Sequence, residues 1–266
     1  MNESPTHRDT NEGGTTGVAA YNTHRPGIYR RRIRIHTEPG YARADLEDDP
    51  HRYGIALHHD GERVTRIKAY PLRTPWTLCV AAEANLQRLV GMPLSADPTA
   101  LFRHTAPGEQ CTHMFDTAGL AIAHAARGIR LRQYDIEAPY WRIGGPRELH
   151  LSRDGEPLMS WTVEDRQILA PQPYAGQDWQ KMLNWARHHF GDIDDIEAVV
   201  VLRRAVMISH GRTVSLDTIS NAAQTGHVGG ACYVFHPGVA EHAMRKPGST
   251  LDFTDRPEAL LADLSD

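Results

Sequence analysis

Two Asp-Gly dipeptides, Asp60-Gly61 and Asp154-Gly155, lie between stretches in which apolar and polar residues alternate. Asp-Gly is favoured in the two-residue type I′ turn that joins antiparallel strands, and alternation with a period of two is typical of a half-buried strand. Each predicted hairpin is followed by segments with apolar residues at helical spacing, roughly residues 112–127 in the first case and 196–210 in the second. The sequence therefore predicts an α+β fold of two halves, each made of antiparallel hairpin strands followed by helices.

This pattern divides the chain into four predicted parts. Residues 1–27 are rich in Asn, Thr, Gly and Glu and contain almost no large apolar side chain, so they cannot offset the entropy of ordering and are predicted to be disordered. Residues 28–128 form the first hairpin-plus-two-helix half, and residues 129–248 form the second strand-then-helix half. Residues 249–266 form an acidic tail that is expected to fray at the surface.

Composition excludes several classes of protein. The 266 residues are 40% hydrophobic and 23% charged, which is ordinary for a globular domain, and their net charge of −4 gives no general reason to expect nucleic acid or an anionic membrane as partner. No run of 18 apolar residues predicts a transmembrane helix, and the N-terminus lacks the apolar core of a signal peptide. The expected location is the cytoplasm, where three cysteines are more typical of free thiols or ligands than of disulfides.

The densest group of chemically useful side chains lies at QCTHMFDTAGLAIAHAARG, residues 110–128. If Cys111 begins a helix, the partial positive charge at the helix N-terminus should lower the pKa of its thiol. His113 and His124 fall on one stripe of that helix, with Asp116 beside it. Thiolate, imidazole and carboxylate are ligands for zinc or iron, and they are equally a nucleophile, its base and an orienting group. Cys111, His113 and Asp116 are therefore the predicted catalytic residues; a buried, inert cysteine with exposed histidines is the competing interpretation.

Two further cysteines could join this site. Cys79 lies on the apolar stripe of the preceding predicted helix, and Cys232 lies in the segment GGACYVF. Each is by default a small buried apolar residue, whereas convergence of the three would create a ligand set. The metal-centred interpretation takes Cys79, Cys111, His113 and His124 as ligands of zinc or iron, and leaves open whether Cys232 contributes.

Arginines suggest how a substrate could be held. Arg203 and Arg204 lie on an otherwise aliphatic helix, and Arg212 follows Gly211. Arginine can bind a carboxylate or phosphate through two hydrogen bonds, so these three residues predict a small, acidic and partly apolar substrate. The alternative is that they balance the negative end of the helix.

The motifs RTPWTLC (73–79), LVGMPL (89–94), CTHMFDTAGLAIAHAARG (111–128) and HVGGACYVFHPGVAEHA (227–243) resemble an uncharacterised bacterial family known as a domain of unknown function. The resemblance implies a cytoplasmic bacterial protein of a kind associated with catabolism of hydrophobic or aromatic acids. At the level of fold, the chain also resembles NifU-type iron–sulphur scaffolds, with Cys79 at the helix-start cysteine and Cys111 with His113 at the late Cys/His pair. It departs from that pattern because the first hairpin region contains no cysteine.

These observations predict an enzyme that acts on a small metabolite by hydrolysis or lysis through a Cys/His/Asp site, with or without a metal. Two alternatives belong to other classes. One is a metal or iron–sulphur carrier without turnover, and the other is a non-catalytic binding partner.

Overall fold

A computed structural model describes residues 26–226 and 232–264 of the chain. The disorder predicted for residues 1–27 falls almost entirely outside these ranges. In the described residues, eight strands form one antiparallel sheet in the order β4-β3-β2-β1-β5-β6-β7-β8, so that the first four strands and the last four meet where β1 pairs with β5. The strands are β1 (Tyr29–Glu38), β2 (Tyr41–Asp48), β3 (Arg52–His59), β4 (Val64–Arg73), β5 (Leu131–Ala138), β6 (Arg147–Arg153), β7 (Glu156–Glu164) and β8 (Gln167–Ala170).

The two Asp-Gly dipeptides form different connections. Asp154 and Gly155 are the two residues between β6 and β7, with φ angles of +54° and +89°, which is the left-handed backbone that a type I′ turn requires. Asp60 and Gly61 instead belong to a four-residue connection between β3 and β4. The Asp60 carboxylate accepts hydrogen bonds from the backbone N–H groups of Glu62 and Arg63, and these bonds stabilise the wider turn.

Helices follow each group of four strands, so the predicted α+β arrangement is confirmed. They are α1 (Glu83–Leu86), α2 (Thr112–Arg127), α3 (Met182–His189) and α4 (Ile193–Ser209), and short 3-10 turns flank α1. The predicted end of α2 is also confirmed, since Gly128 caps it with a left-handed backbone (φ +65°). α2 packs on β1, β2 and β3, while α4 packs on β5, β6 and β7, so both long helices cover the sheet.

Apolar and polar side chains alternate along part of β1, so that its apolar side chains face the helices that cover the sheet. Ile33 and Ile35 are buried in the apolar core, together with side chains of α2 such as Ala118. The intervening arginines are only partly buried, and Arg30 and Arg32 form ion pairs with carboxylates of the neighbouring strand β5. The arginines on the polar side of β1 are therefore satisfied partly by β5 and partly by backbone carbonyls of the C-terminal segment.

The sequence predicts that the acidic C-terminal tail frays at the surface. The structure shows instead that its described residues pack against the fold. Leu260 and Leu261 are buried, and the Leu261 N–H donates to the Glu47 carboxylate at 2.8 Å. Asp263 pairs with the buried Arg52. The apolar Leu260-Leu261 pair thus outweighs the acidic composition. Across the described ranges, no helix combines the length and apolarity needed to span a membrane.

Candidate active site

A cavity of about 450 Å³ lies between elements of the two strand-and-helix groups. Its wall includes the β2–β3 turn and the start of α2 from the first group, and the start of β6 and the end of α4 from the second. The volume is typical of pockets that bind small molecules, roughly 300–1,000 Å³. The lining is mainly apolar and includes Trp76, Trp141, Trp179, Val206, Met207 and Phe235.

A polar patch of the wall begins at the turn between β2 and β3. Asp48, the last residue of β2, is fully buried, and its Oδ1 accepts the backbone N–H and the Nδ1–H of His51 at 3.0 and 2.8 Å. A carboxylate only accepts hydrogen bonds, so this contact places the imidazole proton on Nδ1. His51 lines the cavity, and its Nε2 has no hydrogen-bond partner among the described residues. Asp48 therefore fixes both the orientation and the tautomer of His51.

The second oxygen of Asp48 is held from the neighbouring strand. Asp48 Oδ2 accepts a hydrogen bond from Arg31 Nη1 at 2.8 Å and from the Tyr29 hydroxyl at 3.1 Å. Burial disfavours the ionised carboxyl, but His51 and Arg31 outweigh burial and hold the pKa of Asp48 below its ordinary value. The carboxylate is thus ionised at neutral pH.

His113 lies against His51 in the same patch. The two imidazole ring centres are 3.6 Å apart, and His113 Nε2 is 3.9 Å from Asp48 Oδ2. That nitrogen is buried and has no hydrogen-bond partner in the described structure. Burial first, and then the charges of His51 and Arg31, hold the pKa of His113 well below 6.5. His113 is therefore a neutral imidazole at neutral pH.

Asp48, His51 and His113 also have the spacing of metal ligands. Each offers one ligand atom, and these atoms all lie within 4.8 Å of one another. Of the residues that the structure describes, no other group of three or more His, Cys, Asp or Glu side chains meets this spacing. This group contains His113, one of the predicted metal ligands, but not Cys79, Cys111 or His124.

The three cysteines, whose convergence the sequence leaves open, line the same cavity as free, buried thiols. Tyr53 lines it with them, and burial, followed by the nearby thiols of Cys111 and Cys79, raises the pKa of its hydroxyl well above 10. Burial likewise raises the pKa of Cys79, and that of Cys232 to about 12. These side chains are therefore protonated at neutral pH.

The expectation of a low pKa for Cys111 is wrong in sign. The backbone N–H groups of Met114 and His113 do lower it, as expected for the N-cap of α2, but burial is the larger effect and the pKa is raised. Cys111 and His113 line one cavity, yet no hydrogen bond joins the Cys111 thiol to an imidazole of the described chain. The structure thus brings the two side chains together without pairing them.

The other predicted residues of α2 lie outside the cavity wall. Asp116 forms an ion pair with Arg204 of α4. His124 is fully buried, and its Nε2 is 2.7 Å from Glu197 Oε1, which also accepts the Tyr134 hydroxyl. Both contacts tie α2 to α4. A role of Asp116 or His124 in the chemistry remains a prediction to which this geometry lends no support.

The three predicted substrate-binding arginines are also absent from the cavity wall. Arg204 is held by Asp116, and Arg203 donates to the Gln180 carbonyl at 3.1 Å. Arg212 is buried, pairs with Asp49 at 2.7 Å, and donates to the carbonyls that precede β1. Each of them thus donates at least one hydrogen bond to a protein acceptor outside the cavity wall.

Sequence reasoning missed Asp48 and His51, and also Arg147, which lines the same cavity. The only local indication for the first two is the turn sequence Asp48-Asp49-Pro50-His51, which follows a strand, β2, that the sequence analysis does not predict. Arg147 opens β6 and resembles many other arginines in the chain. Their grouping depends on strand pairing over long sequence distances, and a local motif search does not detect it.

Comparison with protein-family models gives a match over part of the chain. Residues 34–141 match the model of the family described as "Protein of unknown function (DUF2889)". The expected resemblance to an uncharacterised family is thus confirmed over this part of the chain, which is less than half of the 266 residues. The matched range contains Asp48, His51 and His113 but ends before Arg147.

The remaining expectations about relatives are not tested by this match. The segment 227–243 lies outside the matched range, and its residues 227–231 lie outside the described structure. Similarity to NifU-type scaffolds stays a prediction. No match was found among curated proteins.

Proposed function

We propose that the protein is an enzyme that binds a small, largely apolar metabolite in the cavity and catalyses its hydrolysis or lysis, with His51 as the general base. The observation that carries this proposal is His51 itself. Its Nδ1 is bound to the buried Asp48, whereas its Nε2 has no partner in the part of the chain that the structure describes, and its side chain lines an apolar cavity.

This arrangement suits proton transfer. In the neutral imidazole, the Nε2 lone pair can take a proton from water or from the substrate, and the ionised Asp48 stabilises the resulting imidazolium. The imidazolium then returns that proton to the leaving group. Arg31 and Tyr29 keep Asp48 in place during both steps, because they bind the oxygen that His51 does not use.

A metal-centred form of the same reaction is the second candidate, and ligand spacing favours it. One carboxylate and two imidazoles are a common ligand set for zinc and for non-haem iron, and Asp48, His51 and His113 meet the spacing. His113 fits the role because its buried Nε2 has no partner and its imidazole is neutral. When bound, the metal would polarise a carbonyl or activate water.

Turnover tests the first candidate directly. We would measure hydrolysis of p-nitrophenyl esters of alkanoic and aryl acids at pH 7.5 by wild type, His51→Gln and Asp48→Asn, with His150→Gln as a control because that histidine is exposed on β6 and outside the cavity. We expect His51→Gln to lower kcat/KM by about 10²- to 10⁴-fold, the usual contribution of general acid–base catalysis. Unchanged kcat/KM in His51→Gln would refute its role as the base.

Elemental analysis of untagged protein tests the second candidate. About one zinc or iron per chain, lost in His113→Ala, would support the metal-centred form, and a stoichiometry far below one would exclude it. A brown anaerobic preparation whose absorbance disappears in Cys79→Ser or Cys111→Ser would instead indicate an iron–sulphur carrier. A chain with neither turnover nor metal would point to a non-catalytic binding partner.

A further inference from the structure

Arg147 differs from the other buried arginines of the described chain. The five others each pair with a carboxylate: Arg31 with Asp48, Arg52 with Asp45, Arg132 with Asp154, Arg212 with Asp49 and Arg245 with Asp217. Arg147 is only 9% exposed, and no carboxylate of the described residues forms an ion pair with it. A buried guanidinium without a counterion is costly, so its position calls for an explanation.

Among the described residues, only neutral groups compensate this charge. Arg147 Nη2 donates to the Val206 carbonyl at 2.8 Å, in the last turn of α4, and the guanidinium lies 5.0 Å from the ring centre of Trp141. Its Nε is buried and has no hydrogen-bond partner. Burial consequently lowers the pKa of Arg147 to about 10, which still leaves it charged at neutral pH.

Arg147 lines the cavity, so a ligand bound there would lie beside its guanidinium group, of which only Nη2 donates to a described protein acceptor. Asp165 also lines the cavity, but no ion pair joins it to Arg147. Guanidinium presents its N–H groups in a planar fork that matches the two oxygens of a carboxylate. Much of the remaining wall is apolar, with Val163, Val206 and Leu216 among its residues.

We propose that Arg147 is the anion-binding residue of the cavity and that the ligand is a carboxylic acid with an aliphatic or aromatic body. This inference deepens the proposed function and rests on it for the claim that the bound acid is a substrate. It transfers the anion-binding role that the sequence assigned to Arg203, Arg204 and Arg212 to a residue of the cavity wall.

Binding of matched acid and amide probes tests the inference without relying on turnover. We would measure the Kd of hexanoate, octanoate and 3-phenylpropionate, and of the corresponding neutral amides, by calorimetry at pH 7.5. For the wild type we expect at least one acid to bind about 10- to 100-fold more tightly than its amide, the range for a hydrogen bond to a charged group. Arg147→Met should abolish that preference and leave amide binding nearly unchanged.

Two further variants keep the result interpretable. Arg66→Met is the matched control, because Arg66 is exposed on β4 and should retain the full preference for acids. Arg147→Lys keeps the charge but not the fork, so we expect it to retain part of the preference and to report on binding should Arg147→Met fail to fold.

The outcomes separate this inference from the proposed function. An equal preference in wild type and Arg147→Met would overturn the inference, as would failure of every acid to bind the wild type at millimolar concentration. If His51→Gln keeps both its preference for acids and its full turnover, the proposed function fails while the anion site stands.

Discussion

Arg147→Met is expected to leave the free energy of unfolding within about 1 kcal/mol of wild type, or to raise it, whereas Arg212→Met is expected to lower it by about 3–5 kcal/mol. The two side chains are similarly buried, at 9% and 1% exposure. They differ in their partners. Arg212 pairs with the buried Asp49, and its loss would leave that carboxylate without its guanidinium. Arg147 has no carboxylate partner among the described residues, so its removal leaves none of their carboxylates unpaired.

The magnitude for Arg147 follows from its surroundings. A pKa lowered from 12.5 to about 10 corresponds to about 3 kcal/mol of destabilisation of the charged form in the folded state. Removing the guanidinium relieves this cost. The substitution also removes two stabilising contacts. These are the hydrogen bond to the Val206 carbonyl, worth about 1.5–3 kcal/mol, and the contact with the Trp141 ring, worth about 0.5–2 kcal/mol. The two sides nearly cancel.

Equilibrium unfolding in urea at pH 7.5, followed by tryptophan fluorescence and circular dichroism, measures both variants. Equal slopes of free energy against urea concentration would show that each comparison concerns stability alone. A loss of 3 kcal/mol or more in Arg147→Met would refute the reasoning, because it would make this guanidinium part of the structural framework, like Arg212.

Three further predictions follow from burial and packing. Leu86→Ala should cost roughly 2–5 kcal/mol in equilibrium denaturation, because this α1 side chain is 1% exposed; a change under about 0.5 kcal/mol would contradict its place in the core. The pKa of His113 is below 6.5 in the folded state, so on acidification its imidazole becomes protonated in the unfolded chain first. Below about pH 6.5, this difference lowers the free energy of unfolding by up to about 1.4 kcal/mol per pH unit. In the presence of EDTA, the free energy of unfolding of His113→Gln should therefore fall less between pH 7.5 and 5.5 than that of the wild type. An equal fall in both proteins would contradict the lowered pKa of His113. Gly119→Ala should cost about 1–3 kcal/mol or more in thermal unfolding, because its Cβ would lie 2.2 Å from the Pro98 carbonyl oxygen, whereas Gly191→Ala, with no atom within 4 Å of the new Cβ, is the control expected to change little.

Local patterns predicted much of the fold. The strands around Asp154-Gly155 and the span of α2 depend on turn chemistry, helical periodicity and a C-terminal glycine, and all of these act over a few residues. The wider turn at Asp60 differs because the Asp60 side chain binds two backbone N–H groups beyond Gly61 and stabilises a longer connection. The burial of Leu260 and Leu261 was not predicted, because acidic residues lie around them in the sequence.

The candidate site was only partly predictable. Cys111 and His113 line the cavity as expected from their place at the start of a helix. His124 is not in the cavity wall, because 11 residues at about 1.5 Å per residue place it about 16 Å further along α2 than His113. Asp48 and His51 escaped notice because their partners Arg31 and His113 come from elements that only strand pairing and helix packing bring near. The prediction for the pKa of Cys111 was wrong because the sequence does not show how deeply the thiol is buried. Burial raises this pKa by more than the helix N-terminus lowers it.

Two side chains of the cavity wall carry buried polar atoms that no described protein group satisfies: His113 Nε2 and Arg147 Nε. Such atoms reduce stability wherever they occur, and folded proteins usually provide partners for them. Asp48 shows that this chain can do so a few ångströms away, where one carboxylate receives Arg31, Tyr29 and His51. The two unsatisfied groups belong to different elements, α2 and β6, so no single local distortion explains them. A ligand with one anionic end and a polar reacting group would satisfy Arg147 and the imidazoles together, and the stability lost in the free protein would then be recovered as binding energy.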